Sequence, residues 1–367
     1  MNTDKDFGQT PTTNQITIYD PEGKATEAKA YGNVQVTTPG YRPNTRTKRY
    51  RHNFVMTNGG LGDFINHMAV FQYLAEQCPH MQCRLFCMPP FLEVAQWLME
   101  DHEHFIVYRA TDAPRVIKPG EIIYDPGQWT KYINATGAHL LDLGFLYYAS
   151  MDRAMPDYNR LPSLMGYSSG QDWGLPDQYA VMTPGYTANA RALPPDTFNH
   201  IKEHLLTNGI TPVFLGKSVF TEKENLNAHP DYYARIHEVY DLSGGIDLTE
   251  QTTLLEATEI MRDAQLVVGL DNGLLHLAGC TEVPIIFGHT VALPMHRVIR
   301  RPVGQTIDLA LSDAELPCTG CQSRMRGIVG HSFKNCPYND YKCIELLCAG
   351  DAIRWKDAID EVLECRD

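Results

Sequence analysis

Two short segments hold the residues best able to act on a charged ligand. In Asn58-Gly59-Gly60-Leu61-Gly62-Asp63, three glycines and an aspartate lie between an apolar run and an amphipathic one. Glycine lets the backbone turn tightly and approach a ligand closely, which makes Gly60 and Gly62 candidate ligand contacts. An aspartate at a helix start is kept ionised by the free N–H groups and the helix dipole. A carboxylate held that way can accept a proton from a hydroxyl as a general base. Asp63 can equally be a helix N-cap and nothing more. The pattern is not G-x-G-x-x-G and no ribose-binding acid follows the second strand, so a dinucleotide site is the weaker reading.

The second segment is Gly269-Leu270-Asp271-Asn272-Gly273-Leu274-Leu275-His276-Leu277-Ala278, directly after the apolar run Gln265–Val268. Asp271, Asn272 and Gly273 stand at the junction of a strand and a helix, where backbone N–H groups can cradle a diphosphate. His276 lies one turn into that helix. It could point back at the same phosphates, or be a packed helix histidine. The stretch Thr183 to Arg191 also follows a strand end, and it supplies Gly185, the hydroxyl of Thr187 and one guanidinium. Arg191 could offset the charge on a departing nucleoside diphosphate, or it could be an exposed loop residue.

The ten cysteines are unevenly spread, six of them at or beyond residue 318. Cys318-x2-Cys321 has knuckle spacing, and Cys336 with Cys343 or Cys348 completes four thiolates that suit a structural Zn or Fe ion. The second pair is looser than in a zinc ribbon. The competing reading is free thiols packed as small hydrophobes.

These segments are positioned by alternating strands and helices. Residues 15–50 read as strand, turn at Pro21-Glu22-Gly23, and a second stretch ending in Asn33–Thr38. From Phe54–Thr57 the chain runs strand, helix Asp63–Gln77, strand Cys83–Cys87, helix Phe91–Glu100, strands Phe105–Tyr108 and Ile122–Tyr124, and helix His139–Ala149. Phe64, Met68, Phe71 and Ala75 share one face of the first helix. Residues 152–178, rich in Pro, Gly and Ser, read as a link. A second series follows: strand Tyr179–Met182, helix Asp196–Asn208, strand Pro212–Leu215, strand Glu238–Leu242, helix Thr249–Ala264 with Leu254, Ala257, Met261 and Ala264 inward, strand Leu266–Leu270, a short helix from Leu274, and strand Pro284–Phe287. Such a series implies parallel sheets covered on both faces. The expected α/β fold is a β extension at 1–50, Rossmann-like domains at 51–160 and 161–315 with a ligand cleft between them, and a cysteine-rich tail with a helix at 316–367.

With 43% hydrophobic and 20% charged residues, each half can bury a core. The formal charge of −13 argues against a broad phosphate-tracking surface and makes nucleic acid the least favoured partner. The basic cluster Arg42 to Arg51 is either a solvated linker or a contact for an anionic acceptor. The polar N-terminus has no apolar signal region, and no run of about 18 apolar residues exists. A cytoplasmic location with reduced thiols is the expectation.

Taken together the motifs resemble glycosyltransferase family 9, the ADP-heptose:lipopolysaccharide heptosyltransferases. Gly60-Leu61-Gly62-Asp63 looks like the family's G-x-G-D motif, which implies Asp63 as the catalytic base. Thr187 to Pro194 looks like its donor loop, with Arg191 at the family's Lys and Leu193 at its Trp. Asp271 to Ala278 looks like D-[ST]-G-x-x-H-L-A, with Asn272 at the Ser or Thr, and Phe287-Gly288-His289-Thr290 resembles F-G-x-T. The resemblance spans residues 53–310 and implies a GT-B architecture and a donor such as ADP-heptose. It further implies donor-nucleoside contacts near Lys217 and Glu222, and inverting, metal-independent transfer by Asp63, Arg191 and His276. The cysteine tail is similar to the four-cysteine metal finger of autotransporter-modifying relatives. The acceptor implied is a glycan, a protein Ser/Thr or another hydroxyl. Two competing functions are a nucleotide-sugar epimerase of the same architecture and a non-catalytic nucleotide-sugar-binding protein.

Overall fold

In the computed structural model the described residues are 15–19, 25–29, 35–36, 51–56, 60–77, 82–118, 121–124, 161–184, 191–217, 236–301, 305–321, 336, 338 and 340–365. The chain divides into two compact units. One comprises Met1–Gly59, Asn66–Tyr132 and Leu141–Asn159; the other comprises Gly60–Ile65, Ile133–Leu140 and Arg160–Asp367. The expected helix at 139–149 and the basic cluster at 42–50 lie outside the described residues.

The first unit holds β3 (Gln35–Val36), β4 (Arg51–Val55), β5 (Gln82–Cys87), β6 (Phe105–Arg109) and β7 (Ile122–Tyr124), in the order β3-β7-β4-β5-β6 with every pair parallel. Its core is aromatic: Phe54 stacks on Phe105 with ring centroids 5.9 Å apart and meets Phe71 at 4.8 Å. Phe71 comes from the Leu61–Gln77 helix, and all four residues expected on that helix's inner face are buried. The antiparallel hairpin in the N-terminal extension is β1 (Gln15–Tyr19) with β2 (Ala25–Lys29). The apolar stretch at 33–38 is not part of it. That stretch supplies β3, which runs parallel to β7, so the extension adds a strand to this unit's sheet.

The second unit is built on β8 (Tyr179–Met182), β9 (Thr211–Phe214), β10 (Ile246–Asp247), β11 (Val267–Leu270), β12 (Ile285–Gly288) and β13 (Thr306–Leu309). Their order is β10-β9-β8-β11-β12-β13, all parallel. Numbered from β8, this is the doubly wound order 3-2-1-4-5-6, whose switch point falls between β8 and β11. Strands β8, β11 and β12 are buried along their whole length, as expected where helices cover both faces. Phe198, Ile201 and Leu205 of the Pro195–Thr207 helix face inward, as the 3.6-residue period requires.

Three expectations need correction. Residues Ile236–Val239 are a helical turn, so the strand expected at Glu238–Leu242 does not form there; a run of five mixed residues carries too little pattern to separate the two states. The helix expected from Thr249 starts only at Leu254, because Thr253 and Glu256 form a capping box. Its inward stripe therefore uses Leu255 rather than Leu254. The described part of the expected link, residues 161–178, has no regular elements yet is pinned to the second unit. Glu259 accepts hydrogen bonds from the Ser168 hydroxyl (2.8 Å) and the Ser169 amide (3.1 Å), and Arg262 Nη1 donates to the Tyr167 carbonyl (2.5 Å).

The C-terminal helix Ala349–Glu364 belongs to the same core. Trp355 is fully buried among residues of β8, β9, β11, β12 and the Pro195–Thr207 helix. Among the described residues no helix is long and apolar enough to cross a membrane. Removing the indole leaves a cavity beneath the sheet, so Trp355→Ala is expected to lower stability by about 3–5 kcal/mol. Urea unfolding of the whole chain measures this, and an unchanged midpoint would show that the C-terminal helix is not integral to the fold.

Candidate functional site

The site is assembled at the carboxyl ends of β8 and β11, the switch point of the second sheet. Thr183 follows β8, and Asp271 and Asn272 follow β11. The Asn272 carboxamide nitrogen donates to Thr183 Oγ1 at 2.9 Å. Its oxygen accepts from the Leu274 and Leu275 amides at 2.9 and 3.3 Å, making Asn272 the N-cap of the Gly273–Ala278 helix. Two amides that the sequence offered to a phosphate are therefore already satisfied by Asn272, and anion binding here must rely more on side-chain cations.

Those cations are present. Asp271 is buried, with Arg191 Nη2 3.5 Å from Oδ2 and His276 Nε2 3.5 Å from Oδ1. Burial alone would raise the Asp271 pKa. Arg191, His276 and Arg297 outweigh it and hold the carboxyl well below the usual carboxylate range. His276 is buried too, edge-on to Phe287 with ring centroids 5.5 Å apart. Phe287 also meets His289, whose Nε2 lies 2.6 Å from Asp308 Oδ1 on β13.

The glycine motif comes to the same place. Gly60 caps the Leu61–Gln77 helix, its carbonyl accepting from the Phe64 amide at 3.0 Å. Asp63 is thus not the N-cap. It stands three residues on, and its Oδ2 reaches back to accept from the Gly60 amide at 3.2 Å. The first turn of this helix, within the second unit, packs directly on the Gly273–Ala278 helix. A Cβ on Gly62 would lie 2.5 Å from His276 Cδ2, and one on Gly273 would lie 2.5 Å from Leu61 Cβ. Only glycine permits either approach.

Asp63 Oδ1 accepts from Arg297 Nη1 at 2.9 Å. Arg297 ends the short Pro294–Arg297 helix. Burial works against its charge, but Asp63 and Asp271 together raise its pKa. The site is therefore an alternating set of charges, Asp63, Arg297, Asp271 and Arg191, with His276 beside Asp271. Arg297 is the member that sequence reasoning missed. The only signal was an arginine one turn after Pro294, a residue suited to opening a helix, and Arg300 and Arg301 nearby gave no reason to single it out.

Lys217 is exposed, one residue past Gly216, whose backbone lies beside Leu274. Gly185, Thr187 and Glu222 lie outside the described residues. In the tail, burial pushes the Cys343 thiol up to about 12, and the nearby Cys321, Cys336 and Cys318 push the same way. Cys321 packs with Val291 and Tyr341. Cys348 faces elsewhere: burial pushes its thiol up to about 11, against hydrogen bonds involving Thr197 and Trp355. Among the described residues no three His, Cys, Asp or Glu side chains stand close enough together to hold one ion.

Residues 152–328 match the sequence profile of glycosyltransferase family 9 (heptosyltransferase). Among solved structures the chain is similar to the iron-containing dodecameric glycosyltransferase TibC from enterotoxigenic E. coli H10407. The identity is 15%, covering 94% of this chain and 81% of that one, with a TM-score of 0.64. TibC in complex with ADP-D-beta-D-heptose is similar at 16% identity, 87% and 77% coverage and a TM-score of 0.63. A family 9 glycosyl transferase from Veillonella parvula DSM 2008 is similar at 14% identity, 88% and 99% coverage and a TM-score of 0.56. At these identities the likeness is one of fold, the α/β GT-B class with parallel sheets. No curated protein sequence matches the chain.

The lowered pKa of Asp271 sets a pH dependence. Its ionisation stabilises the fold fully above the unfolded carboxylate value of about 3.9, and that contribution fades as the pH falls further toward the folded value. Asp271→Asn removes the carboxylate that faces Arg191 and His276 and is expected to lose about 3 kcal/mol at pH 7 and pH 5. Below about pH 3.9 the gap to the wild type should close by roughly 1.4 kcal/mol per pH unit. Urea unfolding at several pH values decides the point; a gap that widens in acid contradicts an ionised Asp271.

Proposed function

We propose that this chain, a glycosyltransferase carrying a family 9 (heptosyltransferase) domain at residues 152–328, transfers a sugar from a nucleotide-diphosphate donor to an acceptor hydroxyl with inversion at the anomeric carbon. The observation that carries the reading is the packing of Gly62 against His276. It brings the Asp63 carboxylate and the Asp271–His276 segment into one charged cluster.

In this mechanism Asp63 takes the proton of the acceptor hydroxyl. The hydroxyl oxygen attacks the anomeric carbon as the bond from that carbon to the diphosphate oxygen breaks. Arg191, the backbone at Gly273 and His276 offset the charge that builds on the leaving diphosphate. Arginine suits this task because its planar fork binds phosphate oxygens in pairs. Gly185, Thr187, Lys217 and Glu222 are assigned to donor binding on the strength of the motif order, with Lys217 and Glu222 toward the nucleoside. ADP-heptose is the first donor to test, given the family 9 domain and the ADP-D-beta-D-heptose complex of TibC. The acceptor is a glycan, a protein Ser/Thr or another hydroxyl.

The tail is assigned a structural Zn or Fe ion held by Cys318, Cys321, Cys336 and Cys343. Cys343 feels the charges of Cys321, Cys336 and Cys318 while Cys348 lies with Thr197 and Trp355, which favours Cys343 as the fourth ligand; as placed, the four side chains would have to draw together around the ion. TibC, the similar structure, is iron-containing. Such an ion would fix the tail and take no part in transfer.

Asp63→Asn is expected to cut transfer from ADP-heptose by about a thousandfold or more while the protein still binds ADP, as removal of a general base requires. Near-normal turnover by this variant, followed by product formation, would end the base assignment. Metal analysis should find close to one equivalent of Zn or Fe per chain in the wild type and in Cys348→Ser, but little in Cys343→Ser. Full occupancy in Cys343→Ser overturns the ligand set.

A further inference from the structure

We infer that Arg297 is a donor-responsive positioning residue: it holds Asp63 while the donor site is empty, and exchanges that carboxylate for the diphosphate when a nucleoside diphosphate binds. The inference rests on the reading of Asp63 and Asp271 as parts of one transfer site.

Three observations lead to it. First, both oxygens of Asp63 already accept hydrogen bonds, Oδ1 from Arg297 and Oδ2 from Gly60. A carboxylate clamped by a guanidinium is a poor proton acceptor, so a base in this position gains basicity only once the clamp moves. Second, the charges of the cluster balance: Asp63 and Asp271 are matched by Arg297 and Arg191, with Asp271 buried and the other three partly so. A diphosphate adds several negative charges to a site whose cations are already paired. The Leu274 and Leu275 amides are taken by Asn272. A guanidinium that turns from its carboxylate to the diphosphate offsets that added charge. Third, Arg297 feels both carboxylates, contacting Asp63 and sensing the field of Asp271, whose other neighbour is Arg191. A diphosphate bound by Arg191 would lie within the same charge cluster, so Arg297 can turn to it without crossing an apolar barrier. Guanidinium binds carboxylate and phosphate with the same fork geometry, which makes the exchange chemically even.

The test is a double-mutant cycle on nucleotide affinity, which needs neither the acceptor nor turnover. Calorimetry first identifies which of ADP, UDP and GDP the wild type binds best. If Arg297 is shared between Asp63 and the diphosphate, Asp63→Asn releases it, and that nucleotide should bind roughly fivefold tighter or more. Arg297→Gln should weaken binding at least tenfold. In the Arg297→Gln background, Asp63→Asn should bring no gain. A gain that persists there means simple repulsion between Asp63 and the phosphates, and the exchange is wrong. No gain from Asp63→Asn alone is equally fatal. Should Arg297→Gln fail to fold, Arg297→Lys takes its place: lysine keeps the charge but lacks the fork, so the Asp63→Asn gain must shrink, and an undiminished gain overturns the inference. If none of the three nucleotides binds the wild type, the site reading itself falls and the exchange with it. Binding without the predicted coupling removes only the exchange.

Discussion

The structure of the site depends on one carboxylate, that of Asp271, being kept ionised where water is scarce. Asp271 is almost fully buried, and an isolated carboxylate there would take up a proton rather than remain charged. Arg191, His276 and Arg297 reverse that preference. Arg297 in turn is buried charge that persists because Asp63 and Asp271 flank it. Such sets rarely add stability over well-packed apolar residues of the same volume, because desolvation cancels most of the Coulomb gain.

A cluster of that kind works only on a rigid frame. The doubly wound order places β8 next to β11, and their carboxyl ends deliver Thr183, Asp271 and Asn272 side by side. Both strands are buried along their length, and the core beneath them is closed by Trp355 from the C-terminal helix. The first turn of the Leu61–Gln77 helix is then fixed by contact rather than by sequence proximity. Gly62 and Gly273 have no Cβ, so the two helix starts approach until Leu61 and His276 fill the space. The glycines written into both motifs thus serve backbone-to-side-chain packing between the motifs as well as any ligand.

Much of this was readable in the residue order. Strand–helix alternation, the inward faces at Phe64–Met68–Phe71 and Phe198–Ile201–Leu205, and the junctions at Asp63 and Asp271 follow from local periodicity and turn chemistry. Three matters were not readable, each for a physical reason. Arg297 is tied to a partner 234 residues away, and neither its helix of four residues nor its neighbours show any period. The choice between Cys343 and Cys348 depends on which way each faces, which spacing in a loosely patterned tail does not determine. The tie between the Leu274 and Leu275 amides and Thr183 comes from Asn at 272: Ser or Thr would cap the same amides, but through a single hydroxyl. A carboxamide has an oxygen for the helix and a nitrogen for Thr183 at once.

The acidity of the chain sharpens the role of the arginines. With a formal charge of −13, the long-range field repels a diphosphate, so attraction must be local and short-ranged. Lysine could provide the same charge, but as a strongly hydrated point it would be costly to bury beside Asp271. Guanidinium is more weakly hydrated, and its fork can engage a carboxylate in the empty state and a phosphate in the filled one. Arg191 stands where the resembled family has lysine, next to a carboxylate it contacts at 3.5 Å. Arg297 with Asp63 forms the second such pair, so the cluster holds its two guanidiniums as charge-balanced ion pairs.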